Sequence, residues 1–250
     1  SVVDASLLDD TTPSFVVDAN FAPLASPVEE GKTGIQLKVD RFVIPPNFER
    51  ELFVRRPLNN SAPVYVSRIK LKSMANSHHM VLYDFRSKST LPALNEVRDL
   101  RNLDNSLNVG TVIQMSNHIF LGGGTDPNSD YTFPAGMAIQ LPTNASIDLN
   151  PHYFNKTKEN LYGENYVNLY TIPAAQVKKV VQMIDFNATN FTLPANQTTT
   201  ITRDFKFDKP VAIVSLTSHF HARGKLFQIK IIAPLPTSSC YGIVCKETLQ

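Results

Sequence analysis

Two adjacent histidines, His78 and His79, open the apolar run Met80-Val81-Leu82-Tyr83. Successive residues of a strand point to opposite faces, so an ordinary strand buries one imidazole and exposes the other. Both rings can turn to one object only if the backbone bulges or turns there. A metal ion is such an object, because imidazole is the commonest protein ligand for zinc, copper, iron and nickel. The alternative is one core histidine bonded to a neighbour and one at the surface. A second pair, His219 and His221, flanks Phe220. Residues two apart in a strand share a face and can grip one ion. Ile213, Val214, Leu216 and Phe220 make that strand apolar, and a buried unpaired imidazole is costly, which favours ligation over an exposed pair. His152, in Leu149-Asn150-Pro151-His152-Tyr153-Phe154, and His118, in Met115-Ser116-Asn117-His118, stand alone and read as structural as readily as ligating.

Other chemistries lack their residues. There is no His-Glu-x-x-His helix for a zinc protease and no Gly-x-Ser-x-Gly elbow for a serine hydrolase. Gly122-Gly123-Gly124, followed by Thr-Asp-Pro-Asn, reads as a loop but not as a phosphate loop, since no Lys-Ser/Thr follows it. No carboxylate keeps fixed company with the histidines, which counts against a two-histidine, one-carboxylate iron site. Histidine-only ligation leaves copper or zinc.

The elements that must position these residues are strands. Residues 35–40, 51–56, 64–71 and 78–85 alternate apolar and polar side chains or run apolar. Residues 111–121, 131–134, 137–141, 145–155 and 166–172 are further short strands with turn residues between them. Residues 91–101, with Leu94, Val97 and Leu100 spaced by three, form the one expected helix. Beyond Pro173 the rhythm restarts, with strands expected over 177–186, 198–207, 211–221 and 226–232. The expected architecture is all-β: an extended arm over 1–30, a first antiparallel sandwich over 31–173, and a second over 174–250 that is short for a complete sandwich.

Composition bounds the partners. The 250 residues are 42% hydrophobic and 18% charged, enough for a packed core. A formal charge of +2 without a Lys/Arg run argues against nucleic acid. No apolar run is long enough to span a bilayer, and residues 1–20 do not read as a signal peptide. Cys240 and Cys245 could form a local disulfide but not a stapled scaffold. Sequons at Asn59, Asn144, Asn155, Asn187, Asn190 and Asn196 exceed the about three expected by chance, and lean towards a secreted or periplasmic glycoprotein.

Taken together, His78-His79-Met80, Tyr131-Thr-Phe-Pro-Ala-Gly-Met137, Leu141-Pro142, His152-Tyr153 and His219-Phe220-His221 with Gly224-Lys225 resemble the copper type II, ascorbate-dependent monooxygenases. That is the family of peptidylglycine α-hydroxylating monooxygenase and dopamine β-monooxygenase, and the texture is nearer to its bacterial relatives. Order and rough spacing agree over about residues 35–230. The resemblance implies two jelly-roll-like sandwiches with one copper each. His78, His79 and His152 would hold the electron-transfer copper. His219 and His221 would be catalytic, holding the copper where dioxygen reacts with an activated C–H bond of a small-molecule or peptide substrate, with ascorbate or a similar reductant supplying electrons. His118 is a weaker candidate ligand.

Two features depart from that pattern. The family's third ligand at the catalytic copper is a methionine well downstream of the His-x-His, whereas Met74, Met80, Met115, Met137 and Met183 all lie upstream. The peptide-amidating members carry a carboxylate-gripping arginine two residues before the His-x-His; here that residue is Thr217, which cannot make a bidentate clamp. A glycine-extended peptide is therefore not the expected substrate. Two rival readings remain: a non-catalytic secreted β-sandwich binding copper or zinc, and a hydrolytic zinc site of three histidines and a water.

Overall fold

The structure, a computed structural model, describes residues 20–186, 191–218 and 224–230. The chain divides into two compact units, with the boundary after Phe186. The first unit is mostly β, two sheets packed as a sandwich. One sheet contains β1 (Gly34–Ile44), β3 (Val64–Ser73), β7 (Asp130–Thr132), β8 (Met137–Leu141), β10 (Leu161–Thr171) and β11 (Lys179–Val181). Its order is β1-β10-β3-β8-β11, with β7 also on β3. The other contains β2 (Phe48–Pro57), β4 (Ser77–Phe85), β5 (Val97–Asp99), β6 (His118–Gly124) and β9 (Ser146–Asn155), in the order β5-β2-β9-β4-β6. Pairing is antiparallel except at one edge, where β11 runs parallel to β8.

Alternation sets the core. Leu52, Val54, Met80, Leu82, Ile147, Leu149 and Tyr153 of the second sheet are buried, as are Leu37, Leu71, Val167 and Leu169 of the first. Each such side chain contributes about 1.5–3 kcal/mol of transfer free energy. The layers meet where Phe42 of β1 stands edge-on to Tyr153 of β9, ring centroids 5.5 Å apart. The Tyr153 hydroxyl also accepts from Asn165 Nδ2 of β10 at 3.0 Å. Residues 20–30 of the expected arm are fastened to the first sheet: Gln36 Nε2 donates to the Leu24 carbonyl and the Tyr170 hydroxyl to Glu30.

Several expectations need correction. Residues 91–101 form no helix: Leu94 makes a single bridge to Arg55, and residues 97–99 are strand β5 on β2. The spacing by three was not a buried stripe, since Leu94 and Val97 are exposed, and Asn95 breaks the segment at φ 64°. The α-helix lies later, α1 (Val109–Met115), overlapping the start of the expected strand 111–121. Asn108 caps it by accepting from the Thr111 amide, an N-terminal signal that precedes too few residues to show a period. The three glycines are not a loop but the end of β6. At Gly123 (φ +107°) a Cβ would lie 2.2 Å from the Met80 carbonyl oxygen, so only glycine lets β6 come this close to β4.

The first unit runs to Phe186, with β11 on the edge of its first sheet. Among the described residues from 191 onward no strand is present, including the described parts of the expected strands 198–207, 211–221 and 226–232. Their side chains are almost all exposed, leaving no packed face to favour a ladder. His219 and His221 lie outside the described residues.

Candidate metal centre

The bulge that two consecutive histidines require is present. Ser77 pairs with Tyr153 and His79 with His152, so the register shifts by one residue between them and His78 is the extra residue of β4. In such a bulge two side chains of one strand oppose one of its partner. The three imidazoles form a triangle, with ring centroids 5.4 Å apart for His78–His79, 4.9 Å for His78–His152 and 4.8 Å for His79–His152. One ring nitrogen of each lies within 4.8 Å of the others. Phe154 walls one side, 5.1 Å from His78 and 4.7 Å from His152.

The surrounding polar groups orient these rings. Glu49 Oε1 is 2.8 Å from His152 Nε2, and Arg101 Nε stands 3.7 Å from the other Glu49 oxygen. Burial opposes ionisation of Glu49, but the hydrogen bond from His152 and the charges of His152, Arg101 and His78 prevail and hold its carboxyl below the ordinary value. Asn150 Oδ1 lies 3.2 Å from His79 Nε2, while Asn150 Nδ2 donates to Glu51 Oε1 at 3.1 Å. With its Nε2 edge turned to Glu49, the buried His152 has Nδ1 left without a hydrogen-bond partner. A carboxylate on one imidazole nitrogen and a ligand position on the other is the usual outer-shell arrangement of a metal-bound histidine. The donor set fits a copper or zinc ion, and His78, His79 and His152 are the residues that would hold it.

His118 does not join this group. It lies in the same sheet, where its Nε2 meets the fully buried Asp148 at 2.8 Å and its ring stacks on Tyr83 at 4.5 Å. Arg98, from β5, bonds the other Asp148 oxygen and, through Nη1, Gln114 of α1. Burial pushes the Tyr83 hydroxyl up to about 12, and the charges of Glu51, Asp148 and Asp185 add to the effect. The result is a buried, ion-paired plug linked to the short helix, with Arg98 Nε left without a hydrogen-bond partner.

Sequence reasoning missed Glu49 and Glu51. The available signal was Glu-x-Glu in β2, which places both carboxylates on one face. Their partner His152 lies about a hundred residues further on, and only the sheet register joins them. Of the sequon asparagines, Asn155 is buried and donates to the Ile44, Pro45 and Glu159 carbonyls, so it offers no glycan acceptor, whereas Asn59, Asn144 and Asn196 are exposed. Compared with known proteins, the chain matches no family model, no curated protein and no solved structure. No described helix is long and apolar enough to cross a membrane.

Proposed function

We propose that the chain is a copper-dependent monooxygenase, reduced by ascorbate or a similar donor, that hydroxylates an activated C–H bond with dioxygen. The observation that carries this is the bulge at His78, which turns two consecutive histidines of one strand towards His152 of the next. Such a distortion is retained where it re-aims side chains for a site. The resemblance in His78-His79-Met80, His152-Tyr153 and His219-Phe220-His221 supplies the reaction class. When bound, copper supplies one-electron redox chemistry. His78, His79 and His152 bind and orient the ion, Glu49 and Asn150 fix two of the rings, and Phe154 keeps one side of the site apolar. His219 and His221 are proposed ligands of a second, catalytic copper.

A second reading has its own support. Glu49, Glu51 and His152 form another group able to hold a metal, and that oxygen-rich set suits zinc in a non-catalytic secreted metal-binding sandwich. Copper loading with EPR separates the readings, using the full chain, His79→Ala and His219→Ala. Two type II coppers, one lost in each variant, together with ascorbate- and oxygen-dependent turnover, are expected for the monooxygenase. Zinc uptake without copper, or copper that ascorbate does not reduce, would replace it with the metal-binding reading.

A further inference from the structure

We infer that Glu51 and Asn150 are positioning residues of the proposed metal site: Glu51 orients the Asn150 amide, and that amide fixes the ring of His79 with its proton on Nε2. The inference rests on the reading of His78, His79 and His152 as ligands, and it adds two residues that act on the ion only through a ring.

Asn150 lies two residues before His152 on β9, so the two side chains leave the strand on one face. It is almost fully buried, and a buried amide must set its donors and its acceptor against matching groups. Its Nδ2 donates to Glu51 Oε1 at 3.1 Å and to the Leu52 carbonyl at 3.0 Å. A carboxylate and a carbonyl only accept, so the amide nitrogen belongs on that side and cannot trade places with the oxygen. Oδ1 therefore faces His79 Nε2, 3.2 Å away. An amide oxygen also only accepts, so the proton of a neutral His79 sits on Nε2 and the lone pair on Nδ1.

Glu51 does not hold the ring itself. Its Oε1 is 3.8 Å from His79 Nε2, too long for a hydrogen bond, so its influence passes through the amide. His152 reaches the same state by another route. Its Nε2 meets Glu49, which also only accepts, and its buried Nδ1 has no hydrogen-bond partner. Two rings held by different groups thus carry the lone pair on the same nitrogen. A metal binds the lone pair of a neutral imidazole, and a ring already held in one tautomer has none to exchange when the ion arrives.

The test uses the full chain with His219→Ala and His221→Ala, so that metal occupies the first site only. Long-range proton–nitrogen NMR spectra of the metal-free protein show which ring nitrogen carries the proton, with His79→Ala assigning the His79 signals. Zinc and copper are then titrated in. The parent is expected to hold the His79 proton on Nε2 alone. In Asn150→Ala the proton should be shared between both nitrogens, and zinc and copper affinity should fall about 10–100-fold, with the fold checked by circular dichroism. Glu51→Leu should move both readouts the same way but less, because the Leu52 carbonyl still holds the amide. Glu51→Gln keeps an oxygen for Asn150 Nδ2 and should restore both. A parent His79 protonated on Nδ1, or an Asn150→Ala chain with unchanged tautomer or affinity, overturns the inference. Glu51→Gln as impaired as Glu51→Leu overturns the part given to Glu51. Should Asn150→Ala not fold, the parent spectrum and the two Glu51 variants still decide. If zinc leaves the His78, His79 and His152 signals of the parent unmoved, the metal-site reading itself fails, and that failure is separate because the tautomer is read before any metal is added.

Discussion

At the scale of single residues, the His78–His79–His152 cluster and the Asp148 plug make opposite demands. Glu49 holds the ring of His152, a proposed ligand, so removing it should leave the fold and loosen the proposed site. Glu49→Ala is expected to weaken copper or zinc binding by about 10–100-fold, read by calorimetric titration, with little change in melting temperature. Asp148 does the reverse. It is fully buried between Arg98 and His118, and Asp148→Ala strands a buried guanidinium. A loss of about 3–5 kcal/mol in urea unfolding is expected, far more than at an exposed ion pair. Neither role was legible from residue type alone. His118 and His152 look alike in the sequence, and what separates them is the carboxylate that the register sets beside each.

At the scale of elements, the alternating strands were legible because one face of each is packed, and period two follows from that packing. The bulge was legible as a condition: consecutive histidines could share a site only if the strand slipped by one, and β4 does so at His78. The short pieces were not legible. β5 has three residues and α1 seven, too few for a period to accumulate, and the first was hidden in a chance spacing of leucines and valine. The glycine end of β6 was misread because its function is to let a neighbouring backbone approach. Gly123→Ala should therefore destabilise by about 1–3 kcal/mol or more, from the unfavourable φ and the contact with Met80. Gly124→Ala, where a Cβ would meet nothing within 4 Å, serves as the control in the same denaturation series.

At the scale of the whole first unit, acid sensitivity follows from its ion pairs. Glu164 lies between Lys38 and Arg41. Burial works against its charge, yet the Tyr166 hydroxyl and Lys38 outweigh it and lower its pKa. Asp130 is lowered by its paired hydrogen bonds to Arg68. A carboxylate with a lowered folded pKa binds fewer protons folded than unfolded, so its stabilisation is present above the unfolded value and lost as pH falls through the folded one. The urea midpoint should hold steady around neutral pH and drop as the solution is taken below about pH 4.5. Glu164→Gln should flatten that fall. Metal would leave earlier in the same titration, since imidazole must be neutral to bind.

The edges of the first sheet carry one more consequence. Residues 20–30 are tied to β1 and β10, while β11 closes the opposite edge beside β8. Tension entering through the one and leaving through the other crosses the first sheet from side to side. The histidines stand on the other layer, outside that line of force. Pulling the chain from both sides would peel or shear the first sheet before it disturbed the triangle of His78, His79 and His152.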